Sequence, residues 1–190
     1  ISVLLLGCVN PPPDATPTPN ATATPAQTAI PTPDASEVPA GSLIGECMNI
    51  SVRGDYFLTG NLSYLNGTCL RITSTANGST LDCAGHSITG AREIRRSTGG
   101  SAYQIDYTTG IFLDRTSAVV VKNCIVSNFS NGVNLFETSN STILNNSIIS
   151  NKNNGIELEG SAGNLLQANQ VWRNNEGIAL DDSSNGNTLI

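Results

Sequence analysis

From Gly110 to Ile190 the chain repeats itself, and this constrains its fold more than any other feature of the sequence. Cut before the glycine of a recurring Gly-aliphatic pair, it reads GIFLDRTSAVVVKNCIVSNFSN, GVNLFETSNSTILNNSIISNKNN, GIELEGSAGNLLQANQVWRNNE and a partial GIALDDSSNGNTLI. Gly110, Gly132, Gly155 and Gly177 open the units, at spacings of 22, 23 and 22 residues. A period in the twenties belongs to solenoids, where each repeat buries its apolar face only against its neighbours.

Within a unit the apolar residues come in short alternating runs such as Ile156-x-Leu158, broken by Ser, Asn and Gly. That is strand periodicity with turn punctuation. No unit holds a long run at helical spacing, which argues against leucine-rich or helical-pair repeats. The expectation is a coil of about three short strands, stacked so that the coils form parallel sheets around a thin aliphatic column. Aligning the units superposes Asn123, Asn146 and Asn169, and then Asn128, Asn151 and Asn174. Identical amides stacked about 4.8 Å apart can hydrogen-bond along the column, so two asparagine ladders are expected. Asparagine also suits turns and tolerates the left-handed conformation.

These residues resemble a known family. GIxL, then SNxTIxNNxIxxN, then GI again is similar to the repeat of right-handed parallel β-helix proteins of the pectin-lyase-like superfamily, including the domain named for the periplasmic copper-binding NosD family. TLDCAGHSITG (residues 80–90) and VVVKNC (residues 119–124) resemble coils of surface proteins of this kind. The resemblance covers roughly residues 45–190. It implies an all-β fold: a single-stranded right-handed parallel β-helix of about 22 residues per coil. It says little about function, because lyases, hydrolases, epimerases, adhesins and accessory proteins share the fold.

Residues 1–8, ISVLLLGC, read as the remnant of a signal peptide. LLGC resembles a lipobox, which implies cleavage before Cys8 and lipidation of its thiol, so that the membrane is reached through a lipid anchor only. Residues 9–40 are rich in Pro, Thr and Ala and hold all nine prolines after that cysteine. Such a segment cannot bury a core; as a disordered, polyproline-like linker it reaches about 100 Å. The β-helix is expected over residues 41–190, with residues 44–68 as its cap or first coil. Residues 91–109 form a polar insertion containing Arg95 and Arg96, and insertions in solenoids gather on one face, often the binding face. The sequence stops inside a repeat at Ile190, so further coils are expected beyond it.

The net charge of −6 and the pI near 4.6 point away from nucleic acid and anionic membranes. A chain poor in charge and rich in Asn, Ser and Thr suits neutral polyhydroxylated ligands, and its Asn-x-Ser/Thr sequons make it a candidate glycoprotein. Cys47, Cys69, Cys83 and Cys124 are an even set in an exported chain, favouring two disulfides. Aligning TLDCAGHSI with VVKNCIVSNF sets Cys83 and Cys124 one coil apart, within disulfide range, which favours Cys83–Cys124 with Cys47–Cys69; Cys69–Cys83 is the rival. The cysteine spacings do not resemble a metal cluster, and no metal site is expected from them.

Catalytic residues are not legible as a set; Asp181, Asp182 and Glu159 are the weak candidates. Asp181 and Asp182 are adjacent and would face opposite ways in a strand unless a turn intervenes. A strip of Asp114, Glu137, Glu159 and Asp181 on stacked coils is the expected ligand-binding surface; it could bind a sugar or calcium, or simply solubilise the exterior. Trp172, Arg95 and Arg96 are added as possible sugar contacts. His86 is the chain's single histidine and Met48 its single methionine, too few for a copper site. No organic cofactor is indicated. Three functions follow. The first is a monomeric, lipid-anchored surface or periplasmic protein that binds or presents a polysaccharide or glycoconjugate, as an adhesin or envelope component. The second is a carbohydrate-active enzyme, a polysaccharide lyase, hydrolase or epimerase, with its site on coils beyond Ile190. The third is an accessory protein for a periplasmic copper enzyme.

Overall fold

A computed structural model of the chain describes residues 41–91, 94–97 and 103–190. The signal-peptide remnant with Cys8 and the linker of residues 9–40 lie outside the described residues. Among the described residues there is no α-helix, and short strands stack in parallel into three sheets. The first sheet runs through Ser42–Ile44, Asp55–Leu58, Thr80–Asp82, Val120–Lys122, Thr142–Leu144, Leu165–Gln167 and Thr188–Leu189. The second takes Met48–Ile50, Thr68–Thr73, Thr109–Asp114, Asn131–Phe136, Asn154–Glu159 and Glu176–Asp181. The third takes Leu62–Tyr64, Ser87–Gly90, Ile125–Ser127, Ser147–Ile149 and Gln170–Trp172. Each turn of the chain visits the second, first and third sheets in that order, in the right-handed parallel β-helix that the repeat anticipates.

The alternation of each strand fixes what fills the interior. One coil contributes Val133 and Leu135 from the second sheet, Ile143 from the first and Ile148 from the third, all fully buried. The coil before it supplies Ile111, Leu113, Val121 and Val126 in the same places, and the coil after it Ile156, Leu158, Leu166 and Val171. Each fully buried aliphatic contributes about 1.5–3 kcal/mol, repeated coil by coil.

The corners are held by side-chain ladders, and here the structure corrects the expected columns by one residue. Asn146 and Asn169 do stack: the Asn146 backbone N–H donates to Asn169 Oδ1 at 3.0 Å, and Asn146 Nδ2 donates to the same oxygen. The residue beneath Asn146 is Cys124, whose N–H donates to Asn146 Oδ1 at 2.9 Å. Asn123 lies outside the column, in the left-handed conformation, accepting from Asn145 Nδ2 and donating to Asp82. Likewise Asn151 and Asn174 stack, but Phe129 precedes them and Asn128 is the exposed left-handed residue beside it. The reason is the turn itself. A left-handed residue reverses the chain before each inward ladder residue, so a shift of one position moves a side chain from the column to solvent. A third ladder, Ser141, Asn164 and Asn187, closes the corner between the second and first sheets.

Gly110, Gly132 and Gly155, each opening a unit, are required by close approach. A Cβ on Gly132 would lie 2.5 Å from Ile148 Cγ2, 2.6 Å from the Gly155 carbonyl and 2.7 Å from the ladder amide of Asn151. By contrast, nothing lies within 4 Å of a Cβ on Gly60, in a bend of the first coils.

The first coils are less regular and are cross-linked. Cys47 is bonded to Cys69 and Cys83 to Cys124, with Cα separations of 4.6 and 4.8 Å, the spacing of stacked coils. Within the insertion Ile94–Ser97 pairs antiparallel with Tyr103–Asp106 as a hairpin between the third sheet and the second. The side chains of Arg95 and Arg96 lie outside the described residues.

Candidate functional site

The outward face of the second sheet carries the densest set of interacting polar and aromatic side chains among the described residues. Its strands are six residues long in five successive coils, so each presents outward positions as well as an inward pair of aliphatic residues two apart. The register stacks those positions into columns. One column runs Arg71, Phe112, Asn134, Glu157, Ala179, and the next Thr73, Asp114, Phe136, Glu159, Asp181.

This places the predicted strip. Asp114, Glu159 and Asp181 do share a column, but Phe136 stands between Asp114 and Glu159 where Glu137 was expected. Glu137 is one residue further on, in the left-handed turn, and its carboxylate accepts from Arg115 Nε at 2.9 Å. Asp182 is also in a left-handed turn, with φ of 48°, so Asp181 ends the strand and Asp182 leaves the face. Trp172 is exposed on the third sheet, away from this face, with the Arg173 guanidinium over its ring at 4.6 Å. His86 sits in the turn before the third sheet, its N–H donating to the Cys83 carbonyl.

At the lower end of the face two arginines and two aromatic rings interlock. Asp114 is largely covered and takes both the Arg71 and the Arg115 guanidinium. Arg71 lies over the Phe112 ring at 5.4 Å and Arg115 over the Phe136 ring at 4.9 Å. The two rings are tilted, with centroids 6.5 Å apart, a favourable geometry for their quadrupoles. Arg71 and Arg115 are thus balanced by Asp114 and Glu137.

Above the rings sits Glu157, surrounded by amides. Asn131 Nδ2 and Asn134 Nδ2 donate to its Oε2, and Asn154 Nδ2 donates to Oε1 at 2.9 Å. Burial raises the pKa of this carboxyl above the ordinary glutamate value, and the neighbouring Glu159 and Asp181 raise it further, against the pull of the amide donors. The Asn134 Oδ1 beside it is buried and without a hydrogen-bond partner. Phe112, Arg71 and Glu157 were not singled out as ligand-binding residues from sequence. Their signal is the unspecified x of the GIxL motif, and its counterpart Arg71 in CLRI, which period two turns outward.

A cleft of about 290 Å³ lies elsewhere, at the first coils, lined by Gly45, Glu46, Cys47, Asn61, Leu62, Ser63 and Tyr64. It lacks the arginine and phenylalanine pairs of the sheet face.

Compared with known proteins, residues 45–190 match the family described as Periplasmic copper-binding protein (NosD). No curated protein matches the chain. Solved structures share the fold. The periplasmic alginate epimerase AlgG superposes with a TM-score of 0.55 at 19% identity, covering 71% of this chain and 29% of that one. The catalytic domain of a GH87 α-1,3-glucanase in complex with nigerose gives 0.58 at 23% identity, covering 76% and 27%. The chain therefore spans less than a third of either protein.

The family description raises the question of copper, and the donors of this chain do not fit it. Copper takes thiolate, thioether or imidazole ligands. All four described cysteines are consumed in disulfides, leaving one histidine and one methionine. Among the described residues no three of His, Cys, Asp and Glu converge as a metal site.

Proposed function

The chain belongs to the NosD family, and from that premise we propose that it is an extracytoplasmic glycan-binding β-helix that uses the outward face of its second sheet. The observation that carries this reading is the juxtaposition of the Phe112–Phe136 pair with the amide-bound Glu157. Sugar rings present apolar C–H faces and hydroxyl edges, so a protein surface suited to them combines an aromatic platform with fixed acceptors and amides. Two disulfides agree with an oxidising compartment. The lipobox-like LLGC and the proline-rich segment after it support a lipid-anchored domain held away from a surface on a stalk.

The test is a glycan array probed with the full chain and with Phe112→Ala and Phe136→Ala. Saturable binding that both substitutions weaken by about tenfold, while Trp172→Ala leaves it intact, is the expected result. Binding lost with Trp172→Ala alone would move the site to the third sheet and contradict the assignment.

One observation favours an enzymatic reading as an alternative. Glu157 is a carboxyl of raised pKa beside the carboxylates Glu159 and Asp181, the kind of contrast that glycoside-cleaving sites exploit. Release of reducing or unsaturated sugars from a polysaccharide, abolished by Glu157→Gln, would establish it.

A further inference from the structure

The charge distribution of the sheet face narrows the ligand class. We infer that the face selects neutral polysaccharides and discriminates against uronate and sulfated ones; this rests on the glycan-binding reading above.

Recognition of an anionic sugar chain needs cations free to meet its carboxylates, with arginine forks as the usual device. The two arginines on this face are already engaged. Asp114 receives both guanidinium groups, and Glu137 takes the Nε of Arg115 as well. Each guanidinium is also packed against a ring, Arg71 over Phe112 and Arg115 over Phe136. Beyond this balanced cluster the same two columns continue as Asn134, Glu157, Ala179 and as Glu159, Asp181. Lys122 pairs with Asp82 on the first sheet, and Arg173 stacks on Trp172 of the third. An anionic chain laid across Phe112 and Phe136 thus meets uncompensated carboxylates at its next units, and like charges at an interface are strongly disfavoured.

A neutral chain meets the opposite situation. Its hydroxyls are donors, and the upper face offers acceptors: the carboxylates of Glu157, Glu159 and Asp181. Glu157 is held in place by three amides, so the cost of ordering it has already been met in the free protein. The coil rise of about 4.8 Å also sets acceptors at intervals close to the length of one pyranose unit.

The experiment titrates the full chain with neutral hexose polysaccharides and with uronate polysaccharides of matched length, at low and at high salt. Neutral chains are expected to bind at least about tenfold more tightly at low salt, with the gap closing as salt screens the face. In the Glu159→Gln, Asp181→Asn double variant the gap should shrink at low salt too, an effect that a purely structural role for these residues would not produce. Uronate chains that bind as tightly as neutral ones, or a gap indifferent to both salt and the double variant, would overturn the inference while leaving glycan binding intact. If neither class binds at any salt, the glycan-binding reading itself falls, and this inference with it.

Discussion

The same corner of the solenoid is held in two different ways along its length. In the later coils it is an amide ladder, Asn146 on Asn169, in which each side chain satisfies the backbone N–H of the coil before it. One coil earlier the position belongs to Cys124, which still donates its N–H to Asn146 but reaches back to Cys83 through a covalent bond. The difference follows from what each region must hold. Where units repeat faithfully, identical amides find identical partners, and hydrogen bonds suffice. The coils before Gly110 vary in sequence and are interrupted by the hairpin, so Cys83 and Cys124 stand 41 residues apart; a disulfide ties them without needing a matched neighbour. Cys47–Cys69 does the same for the first turn.

The largest effects should come from the cross-linked region. Replacing Cys83 and Cys124 together by serine should cost about 3–4 kcal/mol, read as a lowered urea midpoint under non-reducing conditions. A midpoint unchanged by the double substitution would mean that this bond does not hold the coils together.

Next comes the glycine series. Gly132→Ala should cost about 3 kcal/mol, because three groups including a backbone carbonyl lie within 2.7 Å of the new methyl. Gly60→Ala, whose new methyl meets nothing within 4 Å, should change stability by less than about 0.5 kcal/mol. Thermal melts that fall equally for both would show that the repeat glycines are kept for some reason other than coil-to-coil contact.

The ladder itself gives a pair of adjacent residues with different fates. Asn146→Leu leaves the buried Cys124 N–H without its partner, removes the second donor to the Val121 carbonyl, and should cost about 2–3 kcal/mol. Asn145→Leu, one position away and exposed, should cost about 0.5 kcal/mol or less. The smallest effect concerns pH. Since burial raises the folded-state pKa of Glu157, its contribution to stability is fully present below the unfolded glutamate value of about 4.3 and is lost as pH rises through the raised value. Relative to Glu157→Gln, the wild type should therefore lose under about 1 kcal/mol across that window, the effect being small because the carboxyl is only half-buried.

Most of this architecture was legible in the sequence. The Gly-Ile spacing gives the coil length, and alternation gives the inward Ile-x-Leu pairs. Stacking of matched cysteines favours the disulfides that the structure contains. The ladder registers were missed by one because Asn123-Cys124 and Asn145-Asn146 look alike in composition. Counting from the glycine separates them, since Cys124 and Asn146 both stand 14 residues after their Gly. The same kind of slip put Glu137 where Phe136 stands: strand length decides which side of the turn a residue falls on, and composition does not report it. The Glu157 cage was less accessible still, because Asn131 and Asn134 reach it from the neighbouring strand while Asn154 shares its own, and they meet only when the register is known.

The most direct test of the functional account is hydrogen exchange on the full chain, with and without a saturating neutral oligosaccharide drawn from the glycan array. Protection confined to Thr109–Asp114, Asn131–Phe136 and Asn154–Glu159 is the result expected of a ligand lying on the second sheet. Protection centred on Gln170–Trp172 and its neighbours in the third sheet, with these strands unchanged, would contradict it.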